Sequence, residues 1–162
     1  MTEIQFLTAI PLGDLVIRLL ASAVLGLVLG IDRELHDRPA GIRTFMFISL
    51  ASCVFSLITI EMMSVFGGPE DRTQLDPIRV VEAVTAGVAF LGAGTIFRMG
   101  ANIKGLTTGA GMWLAGAVGL ACGTGMLGLA GLTTLLAVII FLPLRLLEHR
   151  IFPDNSSEND QG

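Results

Sequence analysis

Three ionisable side chains, Arg18, Glu61 and Glu82, fall inside apolar stretches of the chain. A charge within a membrane-crossing helix costs about 2.5–3.5 kcal/mol on insertion scales, which makes each a functional candidate. Two roles compete: an ion-pair cluster in which Glu61 or Glu82 holds Arg18 and fixes helix contacts, or a proton or cation pathway. A second concentration of charge runs Asp32-Arg33-Glu34-Leu35-His36-Asp37-Arg38-Pro39-Ala40-Gly41-Ile42-Arg43-Thr44, and Arg98, Lys104, Thr107 and Thr108 follow later. On a continuing helix, Asp32 meets His36, Arg33 meets Asp37 and Glu34 meets Arg38 at four-residue spacing, until Pro39 and Gly41 stop it. That is either a solvated helix end, a polar network closing one end of a bundle, or a site for an anionic group such as a lipid phosphate. Carboxylates surrounded by a larger number of cations make a poor cage for a hard dication, so no metal and no cofactor is expected. His36 and His149 stand in charged helix-end segments with no nucleophile nearby in sequence, and no enzyme is expected.

The elements that position these groups follow from composition. Of 162 residues, 52% are apolar, 15% are charged and 20 are glycine, with a mean hydropathy of +0.76. An average soluble domain carries about 25% charged residues and about 7% glycine, so a soluble enzyme is a poor fit. Apolar stretches near the ~20 residues needed to cross a bilayer recur at 15–31, 44–66, 80–97, 106–122 and 127–147. The expected fold is an all-α integral membrane protein with a bundle of about five transmembrane helices. Gly123-Thr124-Gly125 should break the last long stretch into two antiparallel helices, and Asp76-Pro77 should cap the third near Ile78.

Charge asymmetry sets an expected orientation. Arg33, Arg38, Arg43, Arg98, Lys104, Arg145 and Arg150 fall on one side, while Arg72 and Arg79 fall on the other. The excess marks the cytoplasmic side, with the N-terminus outside and the C-terminus in the cytoplasm. A four-span alternative, with 106–122 or 127–147 re-entrant, moves the tail outward. On this orientation Arg18, Glu61 and Glu82 share one depth near the outer face. Residues 1–14 form an N-terminal segment, interfacial or frayed, without the basic n-region of a cleavable signal. Residues 15–147 are the transmembrane domain, and 148–162 a polar tail expected to be disordered. The net charge of −4 argues against a nucleic-acid partner.

Without a hydrophobic driving force between helices in lipid, small residues must supply close packing. Gly26 and Gly30, Ala83 and Gly87, Gly105 and Gly109, Ala115 and Gly119, and Gly119 and Gly123 each stand four apart on one helical face. Gly92 and Gly94 either pack in the same way or break the third helix to expose backbone groups to a ligand. Cys53 and Cys122 lie in apolar runs and read as small buried residues, with no disulfide or metal role.

The segments Gly30 to Glu34 and Arg38 to Thr44 resemble the G-x-E-R-E and R-P-A-G-x-R-T hallmarks of the MgtC/SapB family of bacterial inner-membrane proteins. Phe90-Leu91-Gly92-Ala93-Gly94-Thr95-Ile96, Arg98, Gly105-Leu106-Thr107-Thr108 and Trp113-Leu114 extend the resemblance over roughly 15–147. Asp32 stands where the family usually has Glu, and Phe45 where a His often follows the Arg-Thr pair. The resemblance is to the transmembrane domain only and does not extend to the soluble C-terminal domain that some members carry. The resemblance places its motifs at the cytoplasmic ends of spans one to four, where Arg33, Arg38, Arg43, Arg98 and Lys104 are expected to face Asp32, Glu34 and Asp37. Thr107 and Thr108 are expected to cap span four there. It implies a multi-pass protein of the bacterial inner membrane, tied to growth in low magnesium and, in pathogens, to virulence. Such a protein acts by binding and regulating another membrane protein, or itself as a homo-oligomer, within the lipid bilayer. A transporter or channel for a small ion or solute is the alternative.

Overall fold

The computed structural model describes residues 9–35, 38–66, 76–100 and 102–151, with side chains as far as Phe141 in the last helix. The elements are α1 (Leu12–Glu34), α2 (Ile42–Phe66), α3 (Pro77–Gly94), β1 (Phe97–Met99), β2 (Asn102–Lys104), α4 (Leu106–Gly123) and α5 (Leu127–Ile151). The first four helices, α1 to α4, are long and apolar enough to cross a membrane, and α5 continues the apolar pattern through Phe141. The protein is thus an all-α membrane bundle carrying one small hairpin.

Helix ends follow local chemistry. The Asp76 carboxylate accepts the Ile78 amide at 3.0 Å with Pro77 at the first helical position, which satisfies one of the amides that a helix start leaves open. Gly125, at φ +85°, turns the chain between α4 and α5 as its spacing predicts. The third span ends at Gly94 rather than at residue 97, because Phe97 to Met99 pairs with Asn102 to Lys104 in an antiparallel hairpin. Helix α1 starts at Leu12, so the last residues assigned to the N-terminal segment already belong to the span. The expected polar tail begins inside α5, which runs to Ile151, and residues 1–8 and 152–162 lie outside the described residues.

Helix α4 is the hub, touching each of the other four helices. A helix surrounded on several sides must be thin, and its Gly109, Gly111, Gly116, Gly119 and Gly123 are all buried. Opposite it, α2 presents the side chains of Ser52 and Ser56 and the main chain of Ser49 and Cys53, all four residues buried and small. The Ser52 and Ser56 hydroxyls donate to carbonyls one turn back, at 2.8 and 3.2 Å, and the Ser56 hydroxyl also lies 3.4 Å from the Leu120 carbonyl of α4, so one of these polar groups links the two helices directly. A Cβ on Gly119 would overlap the Ser49 carbonyl, and one on Gly26 would stand 2.8 Å from the Phe45 carbonyl. Gly92 and Gly109 are each other's nearest neighbours, which joins α3 to α4.

Two glycine expectations need correction. Ala83 and Gly87 point outward, and nothing among the described residues approaches Gly87 within 4 Å, because α3 lies at the rim and buries only Val88 and Gly92. Gly105 does not pack within a helix: it adopts φ +91° just before α4, where a Cβ would also overlap the Thr95 carbonyl. Gly92 packs and does not break α3, and exposed Gly94 is its last residue. Cys53 and Cys122 are free and buried.

Candidate functional site

The chain alternates direction through the bundle, so the C-terminal ends of α1 and α3 and the N-terminal ends of α2 and α4 meet at one end. Arg33 lies there, near the C-terminal end of α1, where cations complement the helix dipole, yet it is buried to 6% exposure. Burial of a guanidinium requires compensation. One terminal nitrogen donates to the Asp32 carboxylate at 2.6 Å, and the guanidinium carbon stands 4.5 Å from the ring centre of Phe141 on α5. Its Nε has no hydrogen-bond partner among the described residues. Beside this stack, a Cβ on Gly111 would lie 3.1 Å from the Phe45 ring and 3.7 Å from that of Phe141. The aromatic residue at position 45, where the resemblance leads one to expect a His, is thus fully buried core.

Glu34 bridges two helices. Its carboxylate accepts the amide of Ile42, the first residue of α2, at 3.1 Å. A negative group at a helix N-terminus satisfies an open amide and complements the dipole. Gly41 makes room, since a Cβ there would overlap that carboxylate. Glu34→Ala should therefore lower stability by about 1 kcal/mol, and Gly41→Ala should lose a similar amount by displacing the cap. Thermal unfolding in detergent checks this, with Glu34→Gln retaining most of the stability because it keeps an acceptor.

The remaining members of the expected network do not converge. Arg38 and Arg43 are exposed. Arg98 sits on the hairpin, where its Nε donates to the Gly100 carbonyl at 2.8 Å, and Lys104 is exposed on β2 opposite Phe97. Among the described residues Arg33–Asp32 is the one ion pair. His36 and Asp37 lie outside the described residues. Thr107 and Thr108 do not cap α4: its N-cap is Gly105, with Thr107 exposed and Thr108 buried in the first turn.

At the opposite end, Arg18, Glu61 and Glu82 do not gather either, because open main-chain groups at helix ends are nearer than the other charges. Arg18 donates to the Gly123 carbonyl at 2.8 Å, placing its charge at the negative C-terminal end of α4. Glu61 accepts the amides of Ala9 and Ile10 at 2.9 and 3.2 Å, which ties down the chain ahead of α1. Glu82 is exposed on α3. Phe141 was not legible as a site residue, since nothing in the α5 sequence says which helix its ring will meet.

No solved structure matches this chain. The profile of the MgtC family matches residues 19–150. Protein SapB of Bacillus subtilis is 35% identical over 151 residues, covering 91% of this chain and 63% of that protein. A protein of Escherichia coli K12 named "Putative magnesium transporter YhiD" is 35% identical over 136 residues, 80% of this chain and 61% of its own length. Protein MgtC of Brucella abortus is 32% identical over 135 residues, 83% of this chain and 53% of its own length. The chain spans between half and two thirds of the length of these relatives. The family hallmarks fall on residues with assigned structural work, Arg33 in the buried stack, Glu34 and Gly41 at the α2 cap and Gly92 at the α3–α4 crossing, and the chain belongs to the MgtC family.

Proposed function

We propose that this protein is a multi-pass protein of the bacterial inner membrane that binds and regulates another membrane protein during adaptation to low magnesium, and in pathogens during virulence. It is neither an enzyme nor a carrier. The observation that carries this reading is the outward side of α3. That helix turns Glu82 and the small residues Ala83, Ala86, Gly87, Ala89, Ala93 and Gly94 away from the bundle around Phe90, which is 80% exposed, although small residues pack poorly against lipid and a carboxylate is costly there. A partner helix on this side would exploit the small residues for close approach and offer Glu82 a hydrogen-bond donor.

A carrier for magnesium is the second reading, favoured by the name of the Escherichia coli relative. Against it, among the described residues at the Arg33 end the carboxylates are committed, Asp32 to Arg33 and Glu34 to the Ile42 amide. Among the described residues no group of three or more His, Cys, Asp or Glu side chains is placed to hold a metal ion.

Reconstitution separates the two. Proteoliposomes containing this protein alone should show no magnesium uptake beyond empty vesicles. In a strain lacking the native gene, Gly87→Leu should abolish rescue of growth in low magnesium while the protein accumulates normally. Magnesium flux from the purified protein, unchanged by Gly87→Leu, would overturn the regulatory reading.

A further inference from the structure

We infer that the hairpin of β1 and β2 is an anionic-lipid docking element seated in the headgroup layer. Helices α3 and α4 have 18 residues each, so at 1.5 Å per residue both are about 27 Å long, close to the ~30 Å hydrocarbon thickness. Their ends at Gly94 and Leu106 therefore lie at the hydrocarbon boundary. Strands of three residues reach about 10 Å, and the headgroup layer is roughly 5–8 Å deep on each side. The hairpin has nowhere to be except in or just above that layer. Its base is closed by the tight approach of Gly105 to Thr95, and its tip by Gly100 at φ +61°.

Both strands are exposed throughout, and Ile96, Phe97, Met99 and Ile103 are large apolar side chains left outside the core. The register puts Phe97 and Met99 on one face with Asn102 and Lys104, and Arg98 and Ile103 on the other. Each face thus carries apolar groups and one cation. A protein groove would cover one face and leave the other apolar face in water, whereas a lipid layer surrounds both. A two-stranded ribbon is marginal alone in water, so cover on both faces adds to what its anchoring between α3 and α4 supplies. The charge selects the lipid: no Asp or Glu occurs between Glu82 and Glu148. Arg98 and Lys104 are free of carboxylate partners among the described residues, and a lipid phosphate complements both.

The test uses the full chain with its single tryptophan removed, Trp113→Phe, and a reporter placed on either face, Phe97→Trp or Ile103→Trp. Each variant is reconstituted in phosphatidylcholine vesicles with and without phosphatidylglycerol, and low thiol labelling of Cys53 and Cys122 verifies the fold. Both reporters should be quenched by lipids brominated near the headgroup and shielded from acrylamide. Lipid quenching should be at least about twofold deeper with phosphatidylglycerol, a gain that Arg98→Gln with Lys104→Gln removes. Acrylamide access to both reporters would overturn the inference, and so would indifference to phosphatidylglycerol. Shielding of one face alone that grows with the protein-to-lipid ratio would assign the hairpin to a second copy and overturn it as well.

Discussion

Gly119→Val should be the most damaging single substitution in this protein, lowering stability by about 3 kcal/mol or more and preventing accumulation of folded protein at physiological temperature. The reason is what the new atoms meet. A Cβ at Gly119 overlaps the main-chain carbonyl of Ser49 and stands 2.8 Å from the Cβ of Ser52. Neither can rotate aside as the end of a long side chain would, so α2 must move off α4. Separating them removes the contacts of Ser49, Ser52, Cys53 and Ser56 that make this the tight seam of the bundle. Gly128→Ala and Gly131→Ala are the matched controls, since nothing among the described residues lies within 4 Å of a Cβ at either position. They should be neutral or gain up to about 1 kcal/mol from the better helix propensity of alanine. The two buried cysteines supply the measurement, because reaction of Cys53 and Cys122 with a thiol-specific dye reports loss of packing on heating. Equal midpoints for Gly119→Val and Gly131→Ala would show that the α2–α4 seam tolerates separation.

Arg33→Ala ranks second, with an expected loss of about 2–3 kcal/mol. Removing one member of a buried pair leaves Asp32 without its cation, and Asp32 retains 21% side-chain exposure, which moderates the penalty. The rest comes from the stack on Phe141, where a desolvated cation–ring contact contributes up to about 2 kcal/mol. Arg33→Lys keeps the charge but loses the planar group that lies on the ring, so it should fall between wild type and Arg33→Ala. Phe141→Leu keeps most of the apolar bulk and removes the ring. In a double-mutant cycle, Arg33→Ala and Phe141→Leu should couple by at least about 0.5 kcal/mol. Strict additivity would mean that the ring contributes volume alone and that the α1–α5 junction does not depend on this stack.

These substitutions mark where legibility ended. The spacing of Gly26, Gly30, Gly119 and Gly123 was enough to expect packing faces, yet Ala83 and Gly87, with the same spacing, point outward. Four-residue spacing says that two residues share a face, and the face becomes an interface only when another helix lies against it. The charge layers were legible in the same partial way. Arg18, Glu61 and Glu82 were recognisable as charges out of place, but they do not pair. Arg18 reaches the Gly123 carbonyl and Glu61 reaches the amides of Ala9 and Ile10, open main-chain groups invisible until the helix ends are placed. The hairpin was missed because strands of three residues carry too short a pattern to compete with the apolar run of α3.

What the amino-acid sequence determined by itself was the class of molecule, the helices, most of their ends and the family. Each of these depends on properties summed along the chain: apolar length against bilayer thickness, turn residues, a capping Asp before Pro, and motifs read in order. Tertiary structure alone decided the partners. It made α4 the hub, laid Arg33 on Phe141, turned Glu34 onto the start of α2 and left α3 and the hairpin facing outward. In lipid the hydrophobic effect does not choose between helix faces, so that choice falls to steric fit and a few charge-assisted contacts, which depend on residues far apart in the chain.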